Sequence, residues 1–167
     1  MIIESLPRKR KAFTIHLWVN LNQKAEDEVN LLFLIALLKP LKTYEDYVYK
    51  ANAYSHIFQK EKAIATMEQA AIHPQFSIEE RSSGYIYLGI RYSKMLNYRK
   101  ASDCYHKGFE LMIDEPFSYR SPFKQAIEAF IKNGDDVRAK FWLNNLLERQ
   151  SYDKNFRKLA VLEKKLY

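Results

Sequence analysis

The chain has 167 residues, 47% of them apolar, with only four glycines and five prolines. That composition suits one helical domain with a continuous core better than strands or disorder. The net charge of +7 is uneven, with 7 basic and 4 acidic residues in 1–43, 9 and 10 in 44–119, and 11 and 6 in 120–167. Basic ends around a nearly neutral middle could attract an acidic partner, but they do not form the continuous stripe of a dedicated nucleic-acid binder.

The opening Met1-Ile-Ile-Glu-Ser-Leu-Pro7 lacks the charged-then-apolar order of a signal peptide. A single cysteine, Cys104, cannot form an internal disulfide. Together these features point to a reducing cytoplasm. The run Arg8-Lys9-Arg10-Lys11 reads as a solvated helix start, although it could also touch phosphates or serve as a targeting signal. Leu31–Leu38 is the most apolar run. Eight residues cannot cross a bilayer, which takes about 20 in a helix, so no membrane insertion is expected. A helix apolar all round is normally buried. Two readings stand: the preceding residues cover it, or it docks another copy or a partner.

Ala25, Ala63, Ala101 and Ala139 recur every 38 residues, each after a basic residue: Lys24, Lys62, Lys100 and Arg138. A fixed period of this length marks a stacked repeat, in which no unit buries its apolar face alone. The clearest unit runs from Ser82 to Glu115. Tyr85, Leu88 and Tyr92 recur at helical spacing with Gly89 on the same face, and Ala101, Tyr105 and Gly108 continue the stripe after a break at Asn97-Tyr98. The small residues Gly89, Ala101 and Gly108 provide notches for large rings on a neighbouring helix.

Tyr85, Leu88, Gly89, Tyr92, Ala101 and Tyr105 match, in order and spacing, the pattern of the tetratricopeptide repeat, and the chain resembles that family. The unit before keeps Tyr47, Ala51, Tyr54, Ala63, Met67 and Ala70. The unit after keeps Phe123, Phe130, Gly134-Asp135, Ala139 and Leu143. Residues 1–43 keep only Ala25, Val29 and Leu32, and Lys9 and His16 fall where rings are expected.

The resemblance implies an all-α fold, an α-α superhelix: a right-handed solenoid of about four stacked antiparallel helix hairpins and a C-terminal capping helix. Its units would be a divergent first one at 1–43, repeats at 44–81, 82–119 and 120–152, and a cap at 153–167. Ser77 with Glu80 reads as a capping box, Ser121-Pro122 as a helix start, and Gly134 and Asp135 as a stop and a start. The period exceeds the family's usual 34 by four, about one helical turn, so longer second helices are expected. Longer units of this kind are similar to those of peptide-pheromone receptors of Gram-positive bacteria.

In this family the first helices line a concave groove. The resemblance places Val48, Tyr49, Asn52 and His56 there, then Ile86, Tyr87, Ile90 and Lys94, then Lys124, Gln125, Glu128 and Lys132, with Arg10, Thr14 and Trp18 from the first unit. Aromatics with an amide and a row of cations suit an extended or helical peptide with acidic groups. The same residue types also suit an ordinary solvated helix surface. The family's set for gripping chaperone C-termini is not present: of Val48, Asn52, Tyr87, Ser121 and Gln125, only Asn52 matches it. Arg91 stands where neighbouring units have Ala53 and Ala129, and either reaches solvent along its stem or meets an acidic ligand.

No phosphate-cradling loop, metal-binding His pair or paired cysteines appear, and His16, His56, His73 and His106 are scattered. Cys104 and His106, two apart on one helix, face different ways. Acid pairs such as Asp135-Asp136 sit at helix boundaries, where capping explains them. No catalytic residue, metal or cofactor is expected. The leading reading is a non-catalytic cytoplasmic adaptor or regulator that binds a protein or short peptide. A shortened relative of peptide-pheromone sensors and a basic helical-repeat nucleic-acid binder are the alternatives.

Overall fold

A computed structural model describes residue 31 and residues 33–166, and every regular element among them is helical. A short helical stretch over 33–38 leads to α1 (Tyr44–His56), α2 (Lys60–Ile72), α3 (Ile78–Lys94), α4 (Tyr98–Glu110), α5 (Pro122–Lys132) and α6 (Asp136–Glu148). A 3₁₀ turn at Arg149–Ser151 precedes a C-terminal 3₁₀ helix, Lys154–Lys165. Consecutive helices pack on one another, and α3 also meets α5. The Arg8–Lys11 run, His16, Ala25, Val29, Leu32 and the groove positions assigned to Arg10, Thr14 and Trp18 lie outside the described residues.

The second helix of each pair starts 38 residues after the last, at Lys60, Tyr98 and Asp136, and each is 13 residues long. Longer second helices are therefore not what stretches the period. The first helices have 13, 17 and 11 residues, and 11 residues (111–121) join α4 to α5. The added length sits in α3 and in that connection. Its ends are fixed by chemistry: Ser77 and Glu80 form a reciprocal capping box at 3.1 and 2.7 Å, so α3 starts four residues before the boundary expected at 82.

Within each pair the turn has one conformation. Phe58, Leu96 and Gly134, again 38 apart, adopt φ of 61°, 59° and 72°. Around each, the next residue's N–H bonds a carbonyl five residues back: Gln59 to Tyr54, Asn97 to Tyr92, Asp135 to Phe130. This is the Schellman arrangement that closes a helix with a left-handed residue. Asn97 and Asp135 then cap α4 and α6 with their side chains.

The notches expected from the sequence sit at helix contacts. Leu88, Gly89, Tyr92, Ala101, Tyr105 and Gly108 are buried, while Tyr85 is half-buried with the Lys107 ammonium 5.8 Å from its ring centre. A Cβ on Gly89 would lie 2.7 Å from the Tyr105 ring. Gly84 does the same for α2: a Cβ there would stand 3.2 Å from Ala71. Neighbouring pairs are further joined by side chains about one repeat apart. Arg138 meets Asp103 at 3.0 Å, Trp142 Nε1 donates to His106 Nδ1 at 3.0 Å, and Arg120 meets Glu79 at 3.2 Å.

Buried Arg149 organises the long connection. It donates to the carbonyls of Ile113 and Glu115 at 2.7 Å each, and its guanidinium lies 4.0 Å from the Phe117 ring centre. Phe156, Leu159 and Leu162 are buried at three-residue spacing. In a helix with three residues per turn, that spacing lines them up along one face. Leu31, Leu34, Ile35 and Leu38 are exposed.

Candidate ligand-binding face

Arg91 sits 38 residues from two alanines that are fully enclosed, Ala53 and Ala129. No guanidinium can follow them inward, so this side chain turns along the surface between α3 and α1. It lies 4.7 Å from the Tyr87 ring centre and donates from Nη2 to Asn52 Oδ1 over a long 3.4 Å. Tyr87 in turn shares a 3.3 Å hydrogen bond with Ser55. Asn52 and Ser55 from α1 and Tyr87 and Arg91 from α3 thus form one cluster spanning two repeats. Arg91 Nε is buried without a hydrogen-bond partner.

Two hollows flank this cluster. The larger, about 770 Å³, is lined by Phe33, Ile35, Ala36, Lys39, Asp46, Tyr49 and Asn52. Asp46 pairs with Lys39 and accepts the Thr43 N–H at 2.9 Å, and these contacts hold its carboxyl far below the usual range. The smaller, about 180 Å³, opens between α3 and the 111–121 connection, where Ile86, Tyr87 and Ile90 face Phe109, Met112, Phe117 and Phe123. The extra residues of the middle unit therefore wall this second hollow.

The residues assigned to the groove fall into two sets. Tyr49, Asn52, Tyr87 and Ile90 line the two hollows, and Lys94 stands at the end of α3 beside Arg91. His56 is exposed and stacks on Phe33, ring centres 4.2 Å apart. The α5 residues are not brought into this arrangement. Glu128 meets Lys165 of the C-terminal helix at 3.7 Å, Lys132 leans 4.9 Å from the Tyr98 ring centre on α4, and Lys124 is simply exposed. Ser55, Lys60, Phe33 and Phe117 were missed by sequence reasoning, and no spacing in the sequence singles them out.

Comparison with family models, curated proteins and solved structures returns no match. The site is therefore argued from its own chemistry. Burial pushes the Cys104 thiol up to about 11, which keeps it protonated at neutral pH. Among the described residues, no group of three or more His, Cys, Asp or Glu side chains is placed to hold a metal ion. Nor is any described helix long and apolar enough to cross a membrane. What the cluster offers is a stacked ring, an amide, a fixed guanidinium and adjoining apolar hollows. Such surfaces bind by contact area and directed hydrogen bonds.

Proposed function

We propose that the chain is a non-catalytic, cytoplasmic peptide- or protein-binding domain of tetratricopeptide-repeat type, an adaptor or regulator. In this reading its hairpins stack as a right-handed superhelix, and α1 and α3 present the groove that receives a partner. The carrying observation is the cluster of Asn52, Ser55, Tyr87 and Arg91, which links two successive first helices between an aromatic hollow and an apolar one. The superhelix is supported by the three identical turns at Phe58, Leu96 and Gly134 and by the constant register of the second helices.

The chemistry fits an extended segment. Asn52 can exchange hydrogen bonds with a peptide backbone, and Tyr49 gives broad contact at little entropic cost. Large side chains of the partner would enter the hollows. Selection of random dodecapeptides by display against the full chain tests this. Enriched peptides should bind Tyr49→Ala and Asn52→Ala proteins at least tenfold more weakly, with helical circular dichroism unchanged. Failure to enrich any peptide, or equal binding to both variants, would refute the assignment.

A further inference from the structure

Past the cluster, at the end of α3, a recess of about 80 Å³ is lined by Ser55, Lys60, Ile64, Arg91, Lys94 and Met95. Three cations converge there, and among the described residues no carboxylate lines it. Four cations outside the recess do have carboxylate partners: Lys39 with Asp46, Arg120 with Glu79, Arg138 with Asp103, Lys165 with Glu128. Lys60 and Lys94 are exposed and have no acidic partner among the described residues. A lysine in the last turn of α3 complements the helix dipole, which accounts for Lys94. It does not account for Lys60, which is the first residue of α2, where a cation is unfavourable. Nor does it account for Arg91 Nε, a buried donor lacking an acceptor. Like charges in one recess also repel one another.

One occupant answers all three observations. We infer that this recess is a carboxylate subsite, filled by a Glu or Asp side chain of the peptide held on the α1–α3 face. Tyr87 and Asn52 fix the guanidinium from one side, its Nε still lacks an acceptor, and the two ammonium groups add charge from α2 and α3. The Ser55 hydroxyl is a further donor. The inference rests on the proposed groove and adds its chemical preference: the partner is acidic next to the stretch that covers Asn52 and Tyr87.

Fluorescence anisotropy of the full chain tests it with three labelled probes: hexaglutamate, hexaglutamine and a single-stranded DNA 12-mer. Hexaglutamate should bind and weaken with added salt, whereas hexaglutamine should not bind. Arg91→Gln and the double variant Lys60→Gln/Lys94→Gln should each weaken hexaglutamate binding at least tenfold. Lys154→Gln, an exposed lysine on the C-terminal helix, should leave it unchanged. If Arg91→Gln loses its helical signal, the exposed lysine pair carries the test alone. No hexaglutamate binding, equal binding by the lysine double variant, or tighter binding of DNA would each overturn the subsite. Display-selected peptides that bind wild type and the lysine double variant alike would remove the subsite while leaving the groove standing. An empty selection would remove the groove itself.

Discussion

Phe58 and Leu96 hold a backbone conformation that favours glycine, and they do so with their side chains in water: Phe58 is 85% exposed and Leu96 72%. A left-handed residue with a Cβ costs roughly 1–2 kcal/mol relative to glycine. Replacing it by glycine returns that strain but adds about 0.4–1 kcal/mol of freedom to the unfolded chain. With little packing to lose, Phe58→Gly and Leu96→Gly should each stabilise by about 0.5–1 kcal/mol. In a domain of this size that is a rise in Tm of about 1–4 °C. The third turn supplies the reverse experiment. Nothing lies within 4 Å of a Cβ at Gly134, so Gly134→Ala should destabilise by about 1 kcal/mol through backbone strain alone. Urea unfolding reads all three as shifts in midpoint at constant slope. Loss of stability in both glycine variants with a neutral Gly134→Ala would show that the shared turn conformation does not govern these hairpins.

Gly89→Ala should destabilise by about 1–3 kcal/mol, against the usual gain of alanine in a helix, because its Cβ would overlap the Tyr105 ring at 2.7 Å. Thermal melts check the sign. Burial lowers the pKa of His106, which accepts from Trp142 and faces Glu110 at 3.2 Å. The unfolded chain then binds the proton more readily, so His106 contributes stability that is present above pH 6.5 and lost as pH falls. His106→Gln should flatten that slope in pH-dependent unfolding. Arg149→Ala should cost about 2 kcal/mol or more by releasing the carbonyls of Ile113 and Glu115, and should raise hydrogen exchange in 111–121.

Much of the repeat was legible because its strongest signal is steric. Ala63, Ala101 and Ala139 are fully buried three residues into their helices, where nothing larger fits, so the 38-residue period could be read directly. Gly89 against Tyr105 was legible for the same reason. Gly134 announced its turn, but Phe58 and Leu96 adopt the same conformation without the residue that signals it. The extra four residues per period were expected in the second helices. A mean period cannot say where insertions fall, and they fall in α3 and 111–121. The C-terminal helix was expected without its type, because i and i+3 are neighbours in both α and 3₁₀ helices, as Phe156, Leu159 and Leu162 are here. In the candidate site, Arg91 stood out by replacing an enclosed alanine. Asn52 and Tyr87 were named through the family resemblance, but their joining Arg91 in one cluster was not, since ring, amide and guanidinium come from positions 39 and 4 residues apart.

Amide chemical-shift mapping with a display-selected peptide would locate the partner on the surface residue by residue. Perturbations should concentrate on Tyr49, Asn52, Tyr87, Ile90 and Arg91. Shifts confined to the surfaces of α2, α4 and α6, with those five amides unmoved, would contradict the groove assignment.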